Sequence, residues 1–229
     1  MTIVWSLLLI TVLGGGQLFA GQENWTEKKL GQVMVRADKA ARQKNWSQAI
    51  KYGERMREGG IALYGPESAY TVTHLKTLNR YYDWAGRLEE IPDRIKKAYF
   101  LSRRLFDQTH NTVRVSRLLY YKLLISQKRY EEAVPVVREK ISVFGEQEDD
   151  LFRKLHYLKQ LHGLYGILDR QPEREGVLLE MLALNQRLIG TGLDNNKGII
   201  MNLGRTYCLQ GKYTEFDKLM KQYGLQYTC

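Results

Sequence analysis

The chain has 229 residues, a formal net charge of +10, 44% hydrophobic and 26% charged residues, and only four prolines. Those proportions exclude a chain disordered throughout and leave room for one ordinary domain or one solenoid with a buried core. Two cysteines exclude a disulfide-dense scaffold, and the basic excess suits acidic protein segments, anionic lipid headgroups or nucleic acid without choosing among them.

The first element is an apolar run from Ile3 to Leu13, followed by Gly14, Gly15, Gly16, Gln17, Leu18, Phe19 and Ala20. It is shorter than the roughly 20 residues of a membrane-spanning helix, and a small residue, Ala20, follows the glycines. Residues 1–20 therefore read as a signal peptide, with an uncleaved anchor as the alternative. No Lys or Arg precedes the run, and an uncut anchor would leave Lys28, Lys29 and Arg36 holding the following chain in the cytoplasm. No cysteine directly follows Leu18-Phe19-Ala20-Gly21, which excludes a lipoprotein anchor at this point. The first acidic residue is Glu23 and the first basic one Lys28, so loss of the leader keeps the charge of +10.

From there the chain repeats. Turn-like segments recur at Lys44-Asn45-Trp46-Ser47, Gly86-Arg87-Leu88-Glu89, Lys128-Arg129-Tyr130-Glu131, Asp169-Arg170-Gln171-Pro172 and Gly211-Lys212-Tyr213-Thr214. Their third residues, 46, 88, 130, 171 and 213, are spaced by 42, 42, 41 and 42. Apolar residues precede the turns at helical spacing: Leu75, Leu78 and Tyr82, then Tyr120, Tyr121 and Leu124, then Leu158, Leu161 and Tyr165, then Ile200, Leu203 and Tyr207. After the turns, Ile91, Ile95 and Ala98, and Ala133, Val137 and Ile141, repeat that spacing on second helices. Gly86 and Gly211 suit a left-handed helix end, Ser47 and Thr214 a cap, and Pro172 a first helical turn. Breaks at Tyr64-Gly65-Pro66, Phe144-Gly145 and Gly190-Thr191-Gly192 separate the units. The pattern predicts ten helices in five hairpins, with no sheet.

These residues resemble the tetratricopeptide family. The fifth unit carries the pattern best, in Leu203-Gly204 and Tyr207 followed by Gly211 and Tyr213, and the third carries Tyr130 and Ala133. The step near 42, with Leu63-Tyr64-Gly65-Pro66-Glu67 leading into a helix, resembles the long repeats of kinesin light chains. Phe216 and Arg174 depart from it, standing where the family prefers small residues. The resemblance implies an all-α, right-handed α-solenoid of about five hairpins over residues 29–229, whose first helices line a concave protein-binding surface.

Carried over position by position, the ligand-facing residues are Asp38, Arg42, Lys76, Arg80, Lys122, His156, Lys159, Asn202 and Arg205, of which six are Arg or Lys. They suggest a groove for an acidic or carboxylate-ending peptide, with Arg80 and Arg205 making charged contacts and Asn202 holding the peptide backbone. A solvated helix face accounts for the same residues. Most aromatics fall on core or turn positions, whereas Trp84 lies off that stripe and joins the candidate binding set.

No motif for chemistry emerges. His156 and His162 are six apart, which misses the geometry of a zinc pair, and no phosphate loop or nucleophile elbow occurs. The acidic clusters Glu89-Glu90, Glu131-Glu132 and Glu148-Asp149-Asp150 fall near helix starts, where they favour the helix dipole. The expectation is a non-enzymatic protein without cofactor or metal, binding a protein or peptide and no nucleic acid, and exported to a periplasm or secreted. A membrane-anchored assembly subunit is the alternative. Cys208, inside an apolar helical pattern, is expected as a buried thiol, with one disulfide to the terminal Cys229 as the alternative in an oxidising compartment. Asn24-Trp25-Thr26 and Asn45-Trp46-Ser47 match the glycosylation acceptor pattern, which matters only in a eukaryotic source.

Overall fold

The computed structural model describes residues 24–229; residues 1–20, the expected leader, lie outside the described part. Ten α-helices and one 3₁₀ turn follow one another, and no strand occurs among the described residues. They are α1 (Glu27–Arg42), α2 (Trp46–Tyr64), α3 (Ala69–Trp84), α4 (Pro92–Leu105), α5 (Asn111–Ser126), α6 (Tyr130–Ile141), α7 (Glu148–Ile167), α8 (Gln171–Ile189), α9 (Leu193–Leu209) and α10 (Tyr213–Gln222), with the 3₁₀ turn at Leu88–Glu90. Each helix packs on the next, and α3 also lies on α5, so the hairpins stack as a solenoid.

One turn closes every first helix. Lys44, Gly86, Lys128, Asp169 and Gly211 all have φ between 53° and 70°, at the same 42, 42, 41, 42 spacing. The next amide bonds back to a carbonyl five residues earlier, at 2.9 Å from Asn45 to Ala40, 2.8 Å from Arg87 to Tyr82 and 2.9 Å from Lys212 to Tyr207. Arg129 and Arg170 repeat the bond to Leu124 and Tyr165. This left-handed closure satisfies carbonyls that the helix end would leave open. It also starts the second helix earlier than Ser47 and Thr214 require. Asn45 caps α2, its Oδ1 accepting the Gln48 N–H at 3.2 Å, and α10 begins after Lys212 with no side-chain cap.

Between hairpins the chain breaks differently. Gly65 and Gly190 hold φ at 87° and 113°, and side chains six residues on tie down their carbonyls. Thr71 Oγ1 donates to the Gly65 carbonyl at 2.8 Å and Asn196 Nδ2 to that of Gly190 at 2.9 Å. Both side chains are buried, so the bonds also satisfy polar groups sealed from water.

The predicted stripes are buried with three exceptions: Tyr121, Ile91 and Ile141 are only partly covered. The two departures from the family pattern are accommodated by their neighbours. A Cβ on Gly204 would lie 3.3 Å from Phe216, so the missing side chain makes room for the ring. Arg174 instead donates to His162 Nδ1 and Asn202 Oδ1, both at 3.2 Å.

Cys208 corrects the expectation of a free thiol: it forms a disulfide with Cys229, their Cα atoms 5.4 Å apart. The cause is a sixth left-handed turn. Gly224 has φ 63° and the Leu225 N–H bonds the Met220 carbonyl at 2.9 Å, which reverses the chain after α10 and returns the tail to α9.

Candidate functional site

Four of the expected residues, Asp38, Arg42, Arg80 and Trp84, meet in one place. Arg42, Arg80 and Trp84 line a groove of about 440 Å³ between α1 and α3, together with Asp38, Lys44 and Trp46. Trp84, 45% exposed, lies 5.2 Å from Trp46 and 6.2 Å from Tyr81, centroid to centroid, and the Arg80 guanidinium sits over its ring at 4.4 Å. Arg80 and Trp84 share a helix four positions apart, which is why one can lie over the other. The closure at Lys44 brings Trp46 up to the same ring pair from the start of α2.

The charge in this groove is mostly positive. Asp38 is its one carboxylate, and it accepts the Tyr81 hydroxyl at 3.2 Å. Burial, with the Asp38 charge added, pushes the Tyr81 phenol up to about 12. One turn before Arg80, burial and the Arg80 charge push the Lys76 ammonium below its usual value. An anion arriving between Lys76 and Arg80 would offset both effects.

The remaining expected residues are placed elsewhere. Lys122 grips both oxygens of Asp83 at 2.8 and 2.9 Å, tying α5 to α3 with its charge neutralised. Asn202 is engaged on both sides, its Nδ2 donating to the Gly198 carbonyl at 2.7 Å and its Oδ1 accepting from Arg174. Each end of this amide keeps one further hydrogen-bonding position, one N–H and one lone pair. Arg205 is exposed on the same helix and its charge, after burial, lowers the pKa of Arg174. Lys159 is exposed on α7, and His156, one turn before it, stands 3.1 Å from Gln160.

Sequence reasoning missed a second recess. It opens among α5, α6 and α7, has a volume of about 310 Å³, and is lined by Arg114, Arg117, Leu118, Val136, Lys140 and His156 among others. Arg117 and Lys140 sit off the ligand stripe of the first helices, so position-by-position transfer had no means of including them. Among the described residues no three His, Cys, Asp or Glu side chains gather as a metal site, and no helix is long and apolar enough to cross a membrane.

No protein-family model matches the chain, and no curated protein matches it. Solved structures do. A kinesin light chain protein of Podosopora anserina with nearly identical TPR-like repeats superposes with a TM-score of 0.58 at 14% identity, covering 85% of this chain and 93% of that one. Its Q17M variant gives 0.57 at 14% identity over 85% and 92%. BtubC from P. vanneervenii gives 0.52 at 16% identity over 85% and 78%. The chain therefore has the tetratricopeptide-like α-solenoid fold.

Proposed function

We propose that this protein is an exported, non-enzymatic scaffold that holds an acidic segment of a partner protein in the groove between α1 and α3. The observation that carries the reading is the meeting of Arg42, Lys44 and Arg80 with the Trp46–Trp84 pair. Guanidinium groups bind carboxylates in fixed, charge-assisted geometry, and exposed tryptophans supply apolar anchor area, the two features enriched where binding energy concentrates. Export is supported by the leader-like start of the sequence and by the Cys208–Cys229 disulfide, a bond that persists in oxidising compartments.

The test is fluorescence anisotropy with a short labelled peptide rich in Glu and Asp and carrying one large apolar residue. Binding that weakens with salt, and falls at least tenfold in Arg80→Ser and in Trp84→Ala, is the expected outcome. Replacing Lys76, Arg80, Lys122 and Arg205 together by Ser separates face from groove. Unchanged binding in that variant removes the reading. Sequencing the mature N-terminus tests export: a start near Gly21 supports it, and an intact Met1 supports the anchored alternative.

A further inference from the structure

We propose that the recess among α5, α6 and α7 is a binding site for a small organic carboxylate with an apolar body. It does not rest on the groove reading, because a free acid could occupy it with no protein partner present.

The recess has two chambers. The inner one, of about 310 Å³, is walled by Val115, Leu118, Val136 and Val137. The outer one, of about 520 Å³, is walled by polar and aromatic groups that include Asp150 and Arg153. Arg114, Lys140, His156 and Tyr157 line both, so the cationic groups stand where an apolar body in the inner chamber would end. A volume near 300 Å³ is at the lower end of small-molecule sites. It suits an acid of medium chain length or one aryl ring.

Arg117 is paired with Glu139 and Arg153 with Asp150, whereas Arg114 and Lys140 have no carboxylate within ion-pair distance among the described residues. Lys140 lies over the rings of Phe144 at 4.7 Å and Tyr157 at 5.4 Å. Burial lowers its pKa, and the charges of Arg114, Arg117 and Arg153 lower it further, opposed by Asp150. Asp150 is itself engaged with the Gly145 N–H at 3.1 Å and, more loosely, with Arg153 at 3.7 Å.

A second observation is independent of these. Arg117 lines the inner chamber, is 2% exposed, and has a buried Nη1 without a hydrogen-bond partner. Its other nitrogens are committed to Glu139, at 2.9 Å from Nε, and to Gln108, at 2.6 Å from Nη2. Glu139 also takes the Tyr99 hydroxyl and Arg103. An unsatisfied buried donor is rare in folded proteins; with its accessible area almost nil, this nitrogen lies just behind the chamber wall, where it adds positive potential but no open contact.

The recess exists because α5 and α7 hardly touch, in contrast to α3 and α5. The short α6, which carries Pro135 within it, forms the floor between them.

The test is calorimetric titration of the full chain with octanoate, octanol, inorganic phosphate, and a short peptide ending in Phe as the acid or the amide. Octanoate is expected to bind, octanol and phosphate to bind at least tenfold more weakly, and Arg114→Gln and Lys140→Met each to weaken octanoate about tenfold. Leu118→Glu is expected to abolish binding from the apolar side. Far-UV circular dichroism identifies any variant that fails to fold, and Arg114 and Leu118, both exposed, are the safest positions. Binding of the peptide acid but not octanoate keeps the carboxylate site and assigns its source to a chain end. Equal binding of octanol, binding of phosphate alone, or no binding of any acid overturns the proposal. None of these results bears on the groove, which responds to Arg80 and Trp84.

Discussion

The first three helices and the seven that follow hide their apolar faces by different means. Up to α3 the buried groups form two clusters, one of Leu30, Val33 and Met56 and one on Ala37, Ala40, Ala49 and Leu78. From Ile95 to Met220 a single cluster runs through every helix pair. The difference is one of side-chain size. A Cβ on Gly59 would lie 2.5 Å from the Trp25 ring and one on Gly53 would lie 2.7 Å from Leu78, so α2 meets its neighbours almost backbone to side chain. Close approach of this kind buries little area per residue. Part of the work passes to polar groups, in particular Glu54. Burial works against its carboxylate, but Arg94, Tyr82 and Arg57 together hold its pKa below the usual value. One hairpin geometry thus serves a thin, polar-braced beginning and a thick, leucine-filled remainder, and the half-buried Trp46 with the exposed Trp84 belongs to the thin part.

The largest expected effect comes from the thick part. Leu158→Ala should cost about 2–5 kcal/mol, because Leu158 is fully buried in the continuous cluster and its neighbours cannot close the cavity. It should lower the urea midpoint of the whole array. Leu30→Ala should appear mainly as faster hydrogen exchange in α1 and α2, since a solenoid transmits loss only through adjoining units. Equal losses of global midpoint in both variants would break the comparison.

Removing the disulfide comes next. Cys208 and Cys229 are 21 residues apart, and closing a loop of that length stabilises by about 3 kcal/mol in the chain-entropy account. Cys229→Ser, or reductant on the wild type, should loosen α9 and α10 while leaving α1 and α2 protected. Exchange that quickens at both ends would show one cooperative unit instead of two regions.

A smaller effect tests what the regions share. Lys44 and Lys128 hold the left-handed conformation that Gly86 and Gly211 adopt without a side-chain penalty. Lys44→Gly and Lys128→Gly should each raise stability by up to about 1 kcal/mol, and Gly86→Ala should lower it by a similar amount. Thermal melts of the three variants decide the matter, and a gain at only one lysine would mean that the turn is not equivalent in the two regions.

The mildest probe is pH. Burial lowers the pKa of His74, aided by Lys76 and opposed by Asp38, and burial also lowers that of His162, aided by Arg174. The folded state therefore disfavours protonation that the unfolded chain accepts near the usual value of 6.5. Stability is full above pH 6.5 and falls as pH drops through the folded values. His74→Gln should flatten this loss in the thin region and His162→Gln in the thick one, read as melting temperature against pH.

Much of the fold was legible because its marks are local. The five turns stand out as polar or glycine-bearing dipeptides at a fixed step ahead of Trp46, Leu88, Tyr130, Gln171 and Tyr213, and the stripes of Leu and Tyr mark the buried faces. The site was legible only in part. Arg42, Arg80 and Trp84 do meet, whereas Lys122 and Asn202 bond to Asp83 and Arg174, which lie 39 and 28 positions away. Nothing near Lys122 in the sequence announces a carboxylate on the preceding first helix.

By itself the sequence determined the period, the helical hairpins and the left-handed turns at Gly86 and Gly211, since backbone conformation and apolar spacing are settled within a few residues. Only the tertiary structure decided which side chains confront one another across units. That includes the bond of Cys208 to Cys229, the pairing of Trp46 with Trp84, and the recess that α5 and α7 leave above α6. Such meetings depend on how each hairpin is offset from the last, an angle that sums many weak packing contacts and leaves no mark at any single position.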